Sequence, residues 1–183
     1  SAIAVALAFL IVLFVSIFAK GIPGFFQYYV EIGVEIDREK LDLTGDLTLQ
    51  YLYAGDARGV IRSSLYAELD VEGRSDKRAA GKLISQGAEQ RLRRLVYDDP
   101  SLMGTKQTLR FALDDDVDSF LRGFIKRETP EKDRRINDKM IDYIDRLQAE
   151  GKIVYAFSDY LIFGSASRNP EMAGIYGAFI GSI

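Results

Sequence analysis

"AIAVALAFLIVLFVSIFAKGIPGFFQYYVEIGVEID", residues 2–37, changes its hydrophobic period partway along. In residues 2–19 only Ser16 has a polar side chain, so a helix built from them has no face to turn toward water. From Tyr29 onward the pattern alternates. Val30, Ile32, Val34 and Ile36 fall on one face, and Glu31, Gly33, Glu35 and Asp37 on the other. The first part needs apolar surroundings on every side, whereas the second is a strand with one face buried.

As an α-helix, residues 2–19 would rise roughly 27 Å, close to the ~30 Å hydrocarbon core of a bilayer. A secretory signal peptide has a shorter apolar core, a basic region before it and a small-residue cleavage site after it. "SIFAKG", residues 16–21, imitates the last feature, but the apolar run is too long. Residues 1–20 are therefore expected to form a transmembrane helix. Lys20 and Gly21 mark its exit. Phe25, Phe26, Tyr28 and Tyr29 follow where an aromatic belt would meet the interface, and where a domain core would equally begin.

The rest of the 183-residue chain has a different character, with a composition that averages 48% hydrophobic and 28% charged. Every Lys, Arg, Asp and Glu lies between Lys20 and Glu171, and residues 172–183 are uncharged. The formal net charge of −3 gives no positive field for a phosphate backbone, so nucleic acid is not an expected partner. There is no cysteine, which removes disulfides and thiolate chemistry. There is no histidine either, which removes Ser-His-Asp triads and His-ligated zinc.

Between its ends the chain reads as an α+β domain over residues 21–168, with about three antiparallel strands and about four amphipathic helices. Val60, Ile61, Leu65 and Leu69 mark a helix over residues 57–69. A second helix is expected to begin after Ser75 and Asp76, which can cap it, and to bury Ala79, Ala80, Leu83, Ile84, Ala88, Leu92, Leu95 and Val96 before "DDP", residues 98–100, stops it. Gly81 and Gly87 would each weaken it by about 1 kcal/mol, so close packing is expected there. "QTLRFAL", residues 107–113, alternates as a strand, with Leu109, Phe111 and Leu113 inward. "DDDVDSFLRGFIKRE", residues 114–128, reads as a helix capped by an Asp, with Val117, Phe120, Leu121 and Phe124 inward.

After a charged linker containing Pro130 comes the clearest helix. Asn137 caps it, Met140, Ile141, Ile144 and Leu147 form its stripe, and Gly151 stops it. Residues 152–164 are expected to form a third strand, antiparallel to the first, and residues 47–53 a short extended piece. Residues 169–183 read as the start of a second transmembrane helix, whose glycines and alanines suit close packing in lipid.

Few patterns point to chemistry. Asp114, Asp115, Asp116 and Asp118 could hold a hard cation, but an Asp-rich first turn is the ordinary complement of a helix dipole. They lack the spacing and the glycine of an EF-hand, so no metal is expected. Arg91, Arg93, Arg94, Arg134 and Arg135 are candidates for contact with an anion or partner, set against a reading as solvated helix faces. "GRSDKRAAGK", residues 73–82, has the wrong spacing for a Walker A loop and no Ser or Thr after Lys82. No catalytic residue and no cofactor is expected.

The ordered set "KGIPGF", "DDPSLMGT", "DDDVDSFLRG", "IDRLQAEGKI" and "NPEMAGIYGAFIGS" resembles PstA-type permeases, the membrane subunits of phosphate ABC transporters. In the last piece the likeness rests on Pro170, Glu171, Ala173, Gly174, Gly177, Ala178, Gly181 and Ser182, with Arg168 just before it. Some of those permeases carry a long extracytoplasmic insert of unknown function after their first helix. The resemblance implies a non-catalytic, multi-pass protein of the bacterial cytoplasmic (inner) membrane whose insert faces the periplasm. The implied partners are a sister permease, ABC ATPase subunits and a periplasmic phosphate-binding protein, besides the lipid bilayer. The remaining transmembrane helices and the loop that couples to the ATPase would follow Ile183. From another class, a membrane-tethered extracytoplasmic sensor of a small ligand would share the same layout.

Overall fold

The computed structural model describes residues 2–42, 52 and 54–158. The chain divides into two compact units: Ser1–Gln27 with Tyr155–Ile183, and Tyr28–Val154. The expected second transmembrane segment, the end of the third strand and the extended piece at residues 47–53, Leu52 apart, lie outside the described residues.

In the first unit, α1 (Ala2–Gly21) is a continuous helix whose described side chains are all exposed. The span Ile3–Phe25 has a mean hydropathy of 2.7 and is long and apolar enough to cross a membrane. Pro23, in the first turn of the short 3₁₀ segment Ile22–Phe25, suits a position where no backbone donor is needed. The chain then enters β1 (Phe26–Glu35), and β3 (Ile153–Phe157) returns beside it. The Ser158 amide donates to the Phe25 carbonyl at 2.7 Å, closing the ends of the two strands together.

The three strands form a sheet of order β2-β1-β3, where β2 is Lys106–Ala112. β1 pairs antiparallel with β2 in a register from Tyr29 opposite Ala112 to Glu35 opposite Lys106. On its other side the Glu31 amide donates to the Lys152 carbonyl at 2.8 Å. With the Ser158–Phe25 bond this makes β1 and β3 antiparallel, as the sequence leads one to expect. Val30, Ile32, Val34 and Ile36 are buried on one face, in the core they share with the helices.

α2 (Arg38–Leu41) is a single turn capped by Asp37. α3 (Ala57–Glu68) buries Val60, Ile61 and Leu65, as its spacing predicts, and its cap Asp56 accepts from the Gly59 amide at 2.8 Å. α3 packs against α5 (Gly87–Asp98), which buries Ala88, Leu92 and Val96.

The expected long second helix is two helices. α4 (Arg74–Ala80) ends at Gly81, and α5 starts only at Gly87. The segment between them gives its backbone to the sheet instead. The Ser85 amide donates to the Ala112 carbonyl at 3.0 Å, the Leu83 carbonyl accepts from the Asp114 amide at 2.9 Å, and Ile84 bridges Leu113. Leu83 reaches the core through this bridge rather than through a helical stripe. Close packing at Gly81 is present, since a Cβ there would sit 3.0 Å from the Tyr66 hydroxyl and 3.1 Å from the Lys77 carbonyl. Ser75 and Asp76 do not cap α4; Gly73 precedes it without a side-chain bond, and Asp76 instead pairs with Lys139.

α6 (Asp115–Leu121) is capped by Asp114, whose carboxylate accepts from the Asp116 amide at 3.1 Å. Val117 is buried, and Phe120 and Leu121 pack on the core. Phe124 is not inward but 78% exposed. The helix has ended by Arg122, and Gly123 at φ +80° turns the chain away before Phe124 can continue the stripe.

α7 (Asp138–Ala149) matches its sequence reading throughout. Asn137 accepts from the Met140 amide at 2.9 Å, four apolar side chains are buried, and Gly151 adopts φ +69° after the last turn. Each buried Leu, Ile or Met stabilises by about 1.5–3 kcal/mol. Just beyond, Lys152 reaches Glu68 on α3 and Glu150, and these carboxylates hold its ammonium above the usual lysine range.

Candidate functional site

Within the second unit a pocket of about 360 Å³ opens between α3, the α4–α5 connection, the start of α6 and the segment leading into α7. Ile61, Leu65 and Met140 give it apolar walls. Arg58, Arg62, Lys82 and Arg135 bring positive charge, facing Glu89, Asp114 and Asp116.

Most of this charge is already balanced. Arg58 pairs with Glu89, and Arg135 lies 3.3 Å from Asp116. Lys82 acts electrostatically on Asp114, while Arg62 makes no ion pair among the described residues. Burial pushes the Asp114 carboxyl above the usual carboxylate range, against the Asp116 amide bond that lowers it; the neighbouring Asp116 and Asp115 add to the rise. The arrangement is a small cleft lined by apolar side chains and by charges that are mostly paired.

Three of the four acids of the run are absorbed into structure. Asp114 caps α6, Asp116 pairs with Arg135, and Asp118 takes the Tyr28 amide at 2.8 Å and Arg122 Nε at 2.5 Å. Among the described residues no cluster of three or more carboxylates could hold a metal ion.

The five candidate arginines are spread over different settings. Arg91, Arg93 and Arg94 lie on α5 and none of them lines the pocket. Arg93 reaches back to the chain before α3: its Nε donates to the Leu52 carbonyl at 3.0 Å and Nη2 to the Gly55 carbonyl at 3.4 Å. Arg91 is half-buried and Arg94 exposed. Arg135 is 80% exposed at the pocket rim. Arg134 turns inward with its side chain 4% exposed, pairing with Asp138, while its Nε and Nη1 have no hydrogen-bond partner among the described residues.

Sequence reasoning missed Arg58, Arg62 and Lys82. Arg58 and Arg62 stand four apart and so share a helix face, which was the available signal. Lys82 had none, because its position depends on the break between α4 and α5.

The first unit carries the other exposed feature, a cluster of aromatic rings where β1 begins and β3 ends. Phe25 stacks on Phe157 with centroids 6.1 Å apart, and Phe26 on Tyr155 at 5.6 Å. Phe26 also meets Phe157 edge-on at 5.5 Å. Of the aromatics expected to form a belt, Tyr29 is buried and Tyr28 packs on the core, so they serve the domain.

Residues 1–131 match the family model of a domain of unknown function, DUF3333. The match covers more than half of the chain, which belongs to that family. No curated protein and no solved structure matches it.

Proposed function

We propose that this DUF3333 chain is the first transmembrane helix and periplasmic insert of a PstA-type permease in a bacterial phosphate importer. The observation that carries the reading is the closure of the domain on itself. The chain leaves through Phe25 and comes back at Ser158, 2.7 Å away across one hydrogen bond. A domain whose two ends meet can be inserted into a membrane protein without spreading the segments on either side. The motif resemblance gives that layout its family.

In this role the insert performs no chemistry; ATP hydrolysis belongs to partner ATPase subunits. It docks or positions the periplasmic phosphate-binding protein or the sister permease, on the side from which substrate arrives. A photo-crosslinker at exposed Arg94 or Tyr97 on α5, in the intact transporter, is expected to capture one of those two proteins. Because Glu31 and Lys152 are joined by a 2.8 Å backbone bond, the segment between them can be replaced by a short linker. That replacement is expected to lower phosphate uptake. Normal uptake together with no crosslink would overturn the proposal.

The pocket favours a second reading, an extracytoplasmic sensor of a small ligand. Thermal-shift measurements with inorganic phosphate and phosphonates separate the two: a raised Tm that disappears in Arg62→Ala supports sensing, and no shift supports docking.

A further inference from the structure

The aromatic cluster has a place in the fold that points to what covers it. It joins the first strand, which follows α1, to the last described strand, which lies far along the sequence. α1 is 20 residues long, so it spans about 30 Å, the full thickness of a bilayer's hydrocarbon core. A helix that fills the core with its own length must release its next residues into the headgroup region. Only the four-residue turn Ile22–Phe25 separates α1 from β1.

Charge follows the same division. Before Glu31 the only charged side chain is Lys20, at the last turn of α1. On the neighbouring strand, residues 153–158 carry no charge. Among the described residues the end of the β1–β3 pair nearest α1 in sequence is thus neutral and aromatic, and charge begins with Glu31 and Lys152, whose backbones face each other; Asp159, the next residue after this stretch, lies outside the described residues. In this neutral stretch Tyr155 and Phe157 remain 48% and 44% exposed. Such exposure of large rings is unfavourable in water and favourable at a lipid headgroup boundary, where aromatic side chains concentrate.

We propose that Phe25, Phe26, Tyr155 and Phe157 form a lipid-interface anchor, a stacked platform from both strands that sits in the headgroup layer. It would bind the returning strand to the same membrane surface that α1 leaves. The inference rests on α1 crossing the membrane and is independent of which protein the domain docks.

The chain contains no tryptophan, so one introduced indole reports its own surroundings. The full chain carrying Phe157→Trp, or Tyr155→Trp should the first not fold, would be reconstituted in phosphatidylethanolamine and phosphatidylglycerol vesicles. Phe9→Trp, midway along α1, serves as the deep reference. The expected result is blue-shifted emission for Phe157→Trp, protected from iodide and lost most with lipids brominated just below the headgroup. Phe9→Trp should lose most emission with lipids brominated near the acyl terminus. If Phe9→Trp behaves so while Phe157→Trp is open to iodide and insensitive to both lipids, the anchor is overturned and the spanning helix stands. If neither probe responds to brominated lipid, the anchor falls together with the membrane reading of α1.

Discussion

Helix α1 exposes every described side chain from Ile3 to Gly21, whereas α7 buries Met140, Ile141, Ile144 and Leu147 and gives its other side to water. Both are long helices announced by their residues, and they differ in where their stabilising partner lies. α7 finds its partner in this chain, in the core it shares with α4 and the sheet. α1 finds none among the described residues, and its uniform apolarity matches a hydrocarbon environment. The difference teaches that the width of an apolar stripe tells which medium a helix is made for.

The strongest attempt to break this contrast places the same charge in both helices. Ile144→Arg would put a guanidinium at a fully buried position of α7. Desolvating an unpaired charge costs several kcal/mol, a large share of a domain stability of about 5–15 kcal/mol. Loss of the cooperative urea transition is expected, with Gln148→Arg on the exposed face of α7 close to wild type. A wild-type midpoint for Ile144→Arg would show that this face does not hold the domain together.

Val12→Arg tests the other helix. Val12 touches little, so the fold of the second unit should not change. Insertion should weaken by about 3 kcal/mol, the cost of an arginine near the middle of a spanning helix. Extraction of membranes with alkaline carbonate reads this directly: more of the variant should appear in the soluble fraction. Equal retention would contradict a span in lipid.

Smaller effects sharpen the picture of α7 and α6 as helices finished by local chemistry. Asn137→Ala removes the acceptor for the Met140 amide and should lower stability by about 1 kcal/mol, with Asn137→Asp nearly neutral. The urea midpoint distinguishes them. The smallest change is expected from Asp114→Asn, which keeps the cap and removes a charge that burial disfavours. The folded-state pKa of Asp114 is raised above the ordinary 3.8. Its protonated form therefore favours the fold at low pH, and this contribution disappears as pH rises through the raised value. Asp114→Asn should consequently be slightly more stable than wild type at neutral pH, with the advantage shrinking on acidification. A constant difference across pH would assign the effect to something other than ionisation.

Legibility in the sequence followed the reach of each interaction. The cap, stripe and stop of α7 lie within fifteen consecutive residues, 137–151, and all could be read. The break between α4 and α5 could not, because residues 83–85 are diverted by Ala112, Leu113 and Asp114, far along the chain. Leu83 and Ile84 fit a helical stripe as well as a bridge, and nothing local chooses between them. Phe124 also fitted its stripe, until Gly123 took a positive φ. Arg134 resembled any solvated arginine of a charged linker, and its burial depends on how residues 131–138 fold back around it.

By itself the sequence determined which segments are apolar throughout, which alternate, and where short-range caps begin and end helices. These follow from side-chain chemistry at fixed spacing along one segment, so they fix an α+β domain after a helix long and apolar enough to cross a membrane. Only the tertiary structure decided that a single periodic run becomes two helices with a bridge, that Phe157 stacks on Phe25, and that Lys82 faces Asp114. Each of these depends on backbone hydrogen bonds or packing between distant residues, whose geometry exists only after the strands have paired.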